Sequence, residues 1–333
     1  MMNNLNLMFF MMTILSSLIS ISSSSWFSIW MGLEINMVSF IPLMIMFKNA
    51  FSNEAALKYF LIQASSSAFF LMSCMLNSFF MINMTNLMTS NYLTYLLMIP
   101  IMIKLGVVPF HQWFINVTQG LNWLTMYMIM TWQKIAPILV LNYIYTDKLS
   151  ILLFILFSAL IGAVGGLSQT LLKKILGYSS ISHLSWMLAA LMISKIVLIT
   201  YIIFYMITNA FVVLIFFLNN LTQFNQINTK NFFSPFSISM FSLGGLPPFL
   251  GFFPKMLVLK NLLLNNTSIS LILIMSSLIT LFFYIRITIK SLTLSSNSQK
   301  WLKQDTHAKK WMIIYMLLTL ISSLMLIFIN LLM

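Results

Sequence analysis

The sequence predicts an all-α polytopic membrane protein of about eleven transmembrane helices in a single domain. Three observations carry this. The 333 residues are 60% hydrophobic and 6% charged, outside the range of soluble domains. Apolar runs of about twenty residues, each able to cross a hydrocarbon core of about 30 Å, recur from end to end. Two of those runs are interrupted by glycine and proline at matching places about 140 residues apart, the pattern of a transporter-type core.

The first span is residues 5–22. It lacks a basic leader and a small-residue cleavage site, so it reads as a retained helix and not a removable signal. The second is 26–47 and the third 55–80. The fourth, 91–117, is broken by Gly106 and Pro109. The fifth, 121–145, holds Lys134 and Pro137, and the proline is expected to loosen it there. The sixth, 149–167, carries Gly162 and Gly166 at the spacing of closely packed helices. The seventh is 171–193 and the eighth 196–218. The ninth, 235–264, is broken at Gly244-Gly245-Leu246-Pro247-Pro248, and the tenth is 269–289. After a polar connection, 295–310, the eleventh runs over 311–332. Helices one to five (about 1–146) and six to ten (about 149–291) then form two repeats. Five is odd, so the second repeat enters inverted. The broken helix is the fourth of each, and one C-terminal helix (about 309–333) remains.

The net charge of +13 comes from a scarcity of acids: Glu34, Glu54, Asp147 and Asp305 are all of them. The lysines are scattered between spans, so nucleic acid is not an expected partner and topology is the better account. Lys48, Lys58, Lys173, Lys174, Lys230 and the cluster at 290–310 share the side of the N-terminus; Lys148, Lys195 and Lys260 lie opposite. Positive loops stay inside, which puts the N-terminus in the cytoplasm or matrix and the C-terminus across the membrane. One cysteine, Cys74, allows neither an internal disulfide nor a thiolate cluster. The chain has no phosphate-binding glycine loop and no His or acid at ligand spacing, so it is expected to bind no nucleotide, redox centre or metal.

Chemistry is expected at the ionisable groups inside the spans. Lys104 lies in an apolar run two residues before Gly106, and a lysine at mid-membrane costs about 2.5–3.5 kcal/mol on insertion scales. Such a group faces protein, water or an opposite charge. Glu34, the one acid deep in an apolar run, is its natural partner. At ~6 Å and an effective dielectric of about 20 the attraction is roughly 2.8 kcal/mol. Lys134 lies mid-way along the fifth span, and Lys255 follows Pro254 just after the second break. Lysines out of water give up protons more readily, so these residues could act as stations for a moving proton. His183, inside the seventh span, suits a link in the relay; His111, just after the first break, is a second such histidine. The plainer readings are a static ion pair for Glu34 and Lys104, snorkelling for Lys134 and Lys255, and hydrogen-bonded structural histidines.

The motifs Trp30-Met31-Gly32-Leu33-Glu34-Ile35-Asn36, Glu54-Ala55-Ala56-Leu57-Lys58-Tyr59-Phe60, Lys104-Leu105-Gly106 with Pro109-Phe110-His111-Gln112-Trp113, and Trp132-Gln133-Lys134-Ile135-Ala136-Pro137 resemble the mitochondrial NADH–ubiquinone oxidoreductase chain 2 family, antiporter-like membrane subunits of respiratory complex I. Gly165-Gly166-Leu167, Ser179-Ser180-Ile181-Ser182-His183-Leu184 and Leu243-Gly244-Gly245-Leu246-Pro247-Pro248-Phe249 continue the likeness, in order, over about residues 26–290. The resemblance implies a role in coupling quinone reduction to proton translocation in the inner mitochondrial membrane. It implies that Glu34, Lys104, Lys134 and Lys255 stand at the family's proton-transfer positions. It places NADH, FMN, iron–sulfur clusters and ubiquinone elsewhere in the complex, and makes other membrane-arm subunits, neighbouring antiporter-like subunits among them, and membrane lipids the partners. Beside this reading stand a stand-alone cation/proton antiporter and a structural membrane scaffold without proton transfer.

Overall fold

The computed structural model describes residues 4–46, 49–83, 87–144, 148–223, 226, 233–247 and 249–296. Among them every regular element is a helix. The first seven are α1 (Asn4–Ser22), α2 (Trp26–Ile45), α3 (Ala50–Asn83), α4 (Leu87–Leu105), α5 (Gln112–Gly120), α6 (Trp123–Met130) and α7 (Trp132–Ile144). The rest are α8 (Lys148–Leu167), α9 (Leu172–Ile193), α10 (Lys195–Leu218), α11 (Phe233–Gly244), α12 (Phe252–Asn265) and α13 (Thr267–Ser296). Eight stretches among the described residues are long and apolar enough to cross a membrane: α1, α2, α3, the joined α6–α7, α8, α9, α10 and α13. The two broken spans fall outside that set: the first counts only through the shorter apolar stretch Thr94–Leu105, and the second is divided into α11 and α12, of 12 and 14 residues. The expected eleventh helix and the basic cluster after Lys290 lie outside the described residues.

The chain forms two compact units, one ending at Ser158 and one beginning at Ala159, with the division inside α8. In the first, α1 and α2 approach closely because Gly32 has no side chain; a Cβ there would lie 2.8 Å from the Ser20 amide nitrogen. In the second, α9 is buried on nearly every side, and Gly162 of α8 packs against the backbone of Ser182. Leucine, methionine and phenylalanine remain exposed along α1, α3, α8 and α13.

The many serines and threonines do not break these helices because their hydroxyls turn back on their own chain. Ser16 donates to Thr13 O, Ser20 to Ser17 O, Ser66 to Gln63 O, Ser185 to Ser182 O and Ser242 to Ser239 O, each at 2.6–3.0 Å. Short hydroxyl side chains satisfy themselves this way in apolar surroundings.

The fifth span differs in detail from the sequence expectation. Its interruption falls at Thr131, between α6 and α7, and Pro137 lies within the continuous helix α7. The Thr131 hydroxyl donates to Tyr127 O at 2.7 Å, and Lys134 N reaches only three residues back, to Thr131 O. The joint falls where the backbone switches to this three-residue reach.

Candidate functional site

Both broken helices end the same way. At the first, Gly106 takes φ +68°, its amide donates to Ile103 O, and the next amide, Val107, reaches back to Met102 O. At the second, Gly245 takes φ +78°, donates to Ser242 O and Phe241 O, and Leu246 reaches back to Phe241 O. This left-handed cap satisfies the last free carbonyls of a helix and favours glycine. It pairs Gly106 with Gly245. The two lysines are therefore not equivalent in place: Lys104 lies two residues before its cap glycine, and Lys255 ten residues after its own.

Side chains also reach the carbonyls at each break, and differently at the two. At the first, the Trp113 indole donates to Ile103 O at 3.0 Å and the Gln63 amide to Lys104 O at 3.3 Å. At the second, the Lys255 amine donates to Gly244 O at 2.7 Å and also reaches Leu243 O at 3.4 Å. Lys255 is thus a cap for α11 from the first turn of α12, where a cation meets the negative end of a helix. Its Nζ also lies 5.7 Å from the centre of the Trp186 ring. Gly245 is held to glycine twice over: by its positive φ, and because a Cβ would lie 2.8 Å from Lys255 Cδ.

In the first unit, Lys104 and Lys134 are both buried and line one cavity of about 20 Å³ between α2, α3, α4 and α7. That volume is enough to hold water. Its other polar walls are Asn36, Tyr59, Gln63 and Gln133. Gln133 donates to Asn36 Oδ1 at 3.0 Å and accepts from the Tyr59 hydroxyl at 3.4 Å, so neutral groups from three helices are tied together beside the two amines. Lys134 Nζ also sits 4.7 Å above the centre of the Phe114 ring, a favourable place for a cation.

Glu34 is half-buried on the flank of α2 and does not line the cavity. Among the described residues no salt bridge joins it to Lys104, although the two charges act on one another. Glu54 pairs instead with Lys58 on the exposed face of α3. In the second unit, His183 is buried in α9, with Nδ1 2.8 Å from the Tyr201 hydroxyl and its ring 5.0 Å from that of Tyr205. His111 lies in the first break, half-buried, with Nδ1 3.2 Å from Pro109 O.

The structure therefore brings Lys104 and Lys134 onto one cavity, which Glu34 does not line. Lys255 and His183 belong to the second unit. The amides Asn36, Gln63 and Gln133 line the same cavity and are residues that charge-based reading passes over. The available signal was three neutral amides in apolar helices, each of which needs a partner there.

A family model described as NADH:quinone oxidoreductase/Mrp antiporter, TM, matches residues 23–282. NADH-ubiquinone oxidoreductase chain 2 of Aedes aegypti is 40% identical over 336 residues, covering 98% of this chain and 97% of the relative. The protein of the same name from Anopheles gambiae is 39% identical over 324 residues, covering 95% and 94%. Among solved structures, a chain of respiratory complex I from Thermus thermophilus with bound aureothin superposes with a TM-score of 0.81 at 21% identity, over 97% of this chain and 78% of that one. A chain of the archaeal membrane-bound sulfane sulfur reductase gives 0.83 at 15% identity, over 97% and 73%. At those identities the structural likeness speaks for the fold.

Proposed function

The chain belongs to the NADH:quinone oxidoreductase/Mrp antiporter membrane family and, within it, to the NADH-ubiquinone oxidoreductase chain 2 proteins; from that premise we propose how its buried amines serve the enzyme. It is a multi-pass membrane subunit of the proton-pumping NADH:ubiquinone oxidoreductase, respiratory complex I. In our reading a proton passes between Lys104 and Lys134 through water in their shared cavity. Glu34 biases Lys104 by its charge, Lys255 is the distal station, and His183 is a further link. The observation that carries this is the burial of two amines on one water-sized, amide-lined cavity inside an apolar bundle. Lysine is suited to the work because its charge is easily withdrawn by burial, unlike that of arginine.

The same reading assigns eleven spans in two inverted five-helix repeats with a C-terminal helix, supported by the matched glycine caps at Gly106 and Gly245. It places the chain in the mitochondrial inner membrane, N-terminus in the matrix and C-terminus in the intermembrane space, on the distribution of lysines. Membrane-arm partners include neighbouring antiporter-like subunits and lipids, for which the exposed apolar faces of α1, α3, α8 and α13 are suited. NADH, FMN, iron–sulfur clusters and ubiquinone act in other subunits; a single cysteine cannot ligate a cluster.

The test is an enzyme carrying Lys134→Met, sealed in vesicles. It is expected to assemble and to lose about nine-tenths of its NADH-driven acidification. An assembled Lys134→Met enzyme that acidifies at the normal rate would end the proposal.

A second reading applies to Lys255 alone, because its amine already serves as a helix cap. Lys255→Gln retains an N–H donor for Gly244 O and removes the exchangeable charge. Slowed pumping with normal assembly is expected if Lys255 is a station. Normal pumping from Lys255→Gln, with poor assembly of Lys255→Met, would make it a cap and nothing more.

A further inference from the structure

The second unit contains buried polar groups that the lysine path does not use. Tyr201, Tyr205 and Asn209 follow one another at intervals of four along α10, so they stack on one face over about 12 Å. All three are buried. The ladder starts at His183, whose Nδ1 meets the Tyr201 hydroxyl at 2.8 Å and whose ring lies against Tyr205. Tyr284, buried on α13, brings a further phenol within electrostatic range of Tyr201.

Two of these groups have polar atoms left over. Asn209 Nδ2 and Tyr284 Oη have no hydrogen-bond partner among the described residues. Ser179 interacts with Tyr284, and because its own hydrogen goes to Leu176 O at 2.8 Å, only its oxygen remains to face the phenol. A buried donor left unmade costs about 1–3 kcal/mol, and apolar residues of similar shape would avoid it. Packing alone therefore does not account for the amide of Asn209 at this position. Water bridging Asn209 and Tyr284 would satisfy both and join them to the hydroxyls above.

We propose that Tyr201, Tyr205 and Asn209 of α10, with Tyr284 of α13, form a water-bridged proton relay that branches from the lysine path at His183 and runs along α10. Each phenol gives one proton forward as it accepts one from behind, so no member changes its net charge over a cycle. Asn209 takes no proton; it orients the water at the end of the ladder. This rests on the proton-transfer reading above and adds residues to it.

The assembled complex carrying Tyr201→Phe, Tyr284→Phe or Asn209→Leu tests it. Phenylalanine removes one oxygen and no ring volume, so the two tyrosine variants decide the matter even if Asn209→Leu does not assemble. Expected are NADH oxidation by a soluble artificial acceptor at the normal rate, NADH-driven acidification slowed by about threefold or more, and a larger slowing in deuterated water. A structural role would move neither pumping in an assembled enzyme nor its isotope effect. Normal pumping with a normal isotope effect in both tyrosine variants overturns the branch. If Lys134→Met also pumps normally, the proton-transfer reading fails with it; if Lys134→Met is impaired, only the branch is lost.

Discussion

An enzyme carrying Lys104→Ala assembles and pumps protons at about one-tenth of the normal rate or less. Lys104 ends the first half of the broken fourth span, buried beside the cavity that Lys134 shares. Removing it takes away one of that cavity's two amines and leaves Lys134 facing neutral groups, which hold water but do not exchange protons at working pH. Assembly survives for two reasons. No salt bridge to Glu34 is broken. The groups that close the break, Trp113 and Gln63, bond to main-chain carbonyls and not to the amine. Lys104→Arg sharpens the result: it restores charge but holds its proton too tightly to pass it on. It is expected to assemble well and to pump poorly. Acidification of sealed vesicles, measured beside NADH oxidation by an artificial acceptor, separates transport from electron input. Near-normal pumping by both variants would remove Lys104 from the path.

A Gly251→Ala enzyme, by contrast, fails to accumulate. Gly251 has an ordinary φ of −72°, so the backbone conformation admits a side chain. Space does not. A Cβ there would fall on the carbonyl oxygen of Ser242, in the last turn of α11. Main chain meets main chain, and neither has a flexible end to swing away. Relief requires separating α11 from the start of α12, which also pulls Lys255 off Gly244 O. The cost is about 3 kcal/mol or more. Ser242→Gly does not rescue it, since the obstructing atom belongs to the backbone. The amount of complex on a native gel reads the outcome, and wild-type amounts of Gly251→Ala would contradict the packing.

Much of the fold was legible because hydrocarbon imposes a simple demand. A helix must be apolar for about twenty residues, and these helices begin and end within a few residues of their hydropathic limits. The breaks were legible from Gly106 with Pro109 and from Gly244-Gly245 with Pro247, because lipid cannot satisfy an interrupted backbone. Which glycine carries the positive φ was not legible. The doubled Gly244-Gly245 offers two choices, and hydrogen bonding selects the second. The joint at Thr131 was hidden because Pro137 is the conspicuous helix breaker in that span and lies inside the continuous helix α7. At the site, charge gave away Lys104 and Lys134 because a lysine in lipid is costly. Asn36, Gln63 and Gln133 cost far less to insert, so their meeting beside the amines appears only when the helices are packed. The direct pairing of Glu34 with Lys104 suggested by their isolation is looser in the structure, because Glu34 projects from the flank of α2.

The hydroxyls folded back on their own helices bear on electrical leakage. A coupling membrane has to hold a voltage, and a serine-rich bundle would short-circuit it if those oxygens faced one another and recruited files of water. Because Ser16, Ser20, Ser66, Ser185 and Ser242 each donate to a carbonyl on their own helix, each has spent its hydrogen locally. The insulation of this subunit thus rests on small side chains whose hydrogens stay on their own helices.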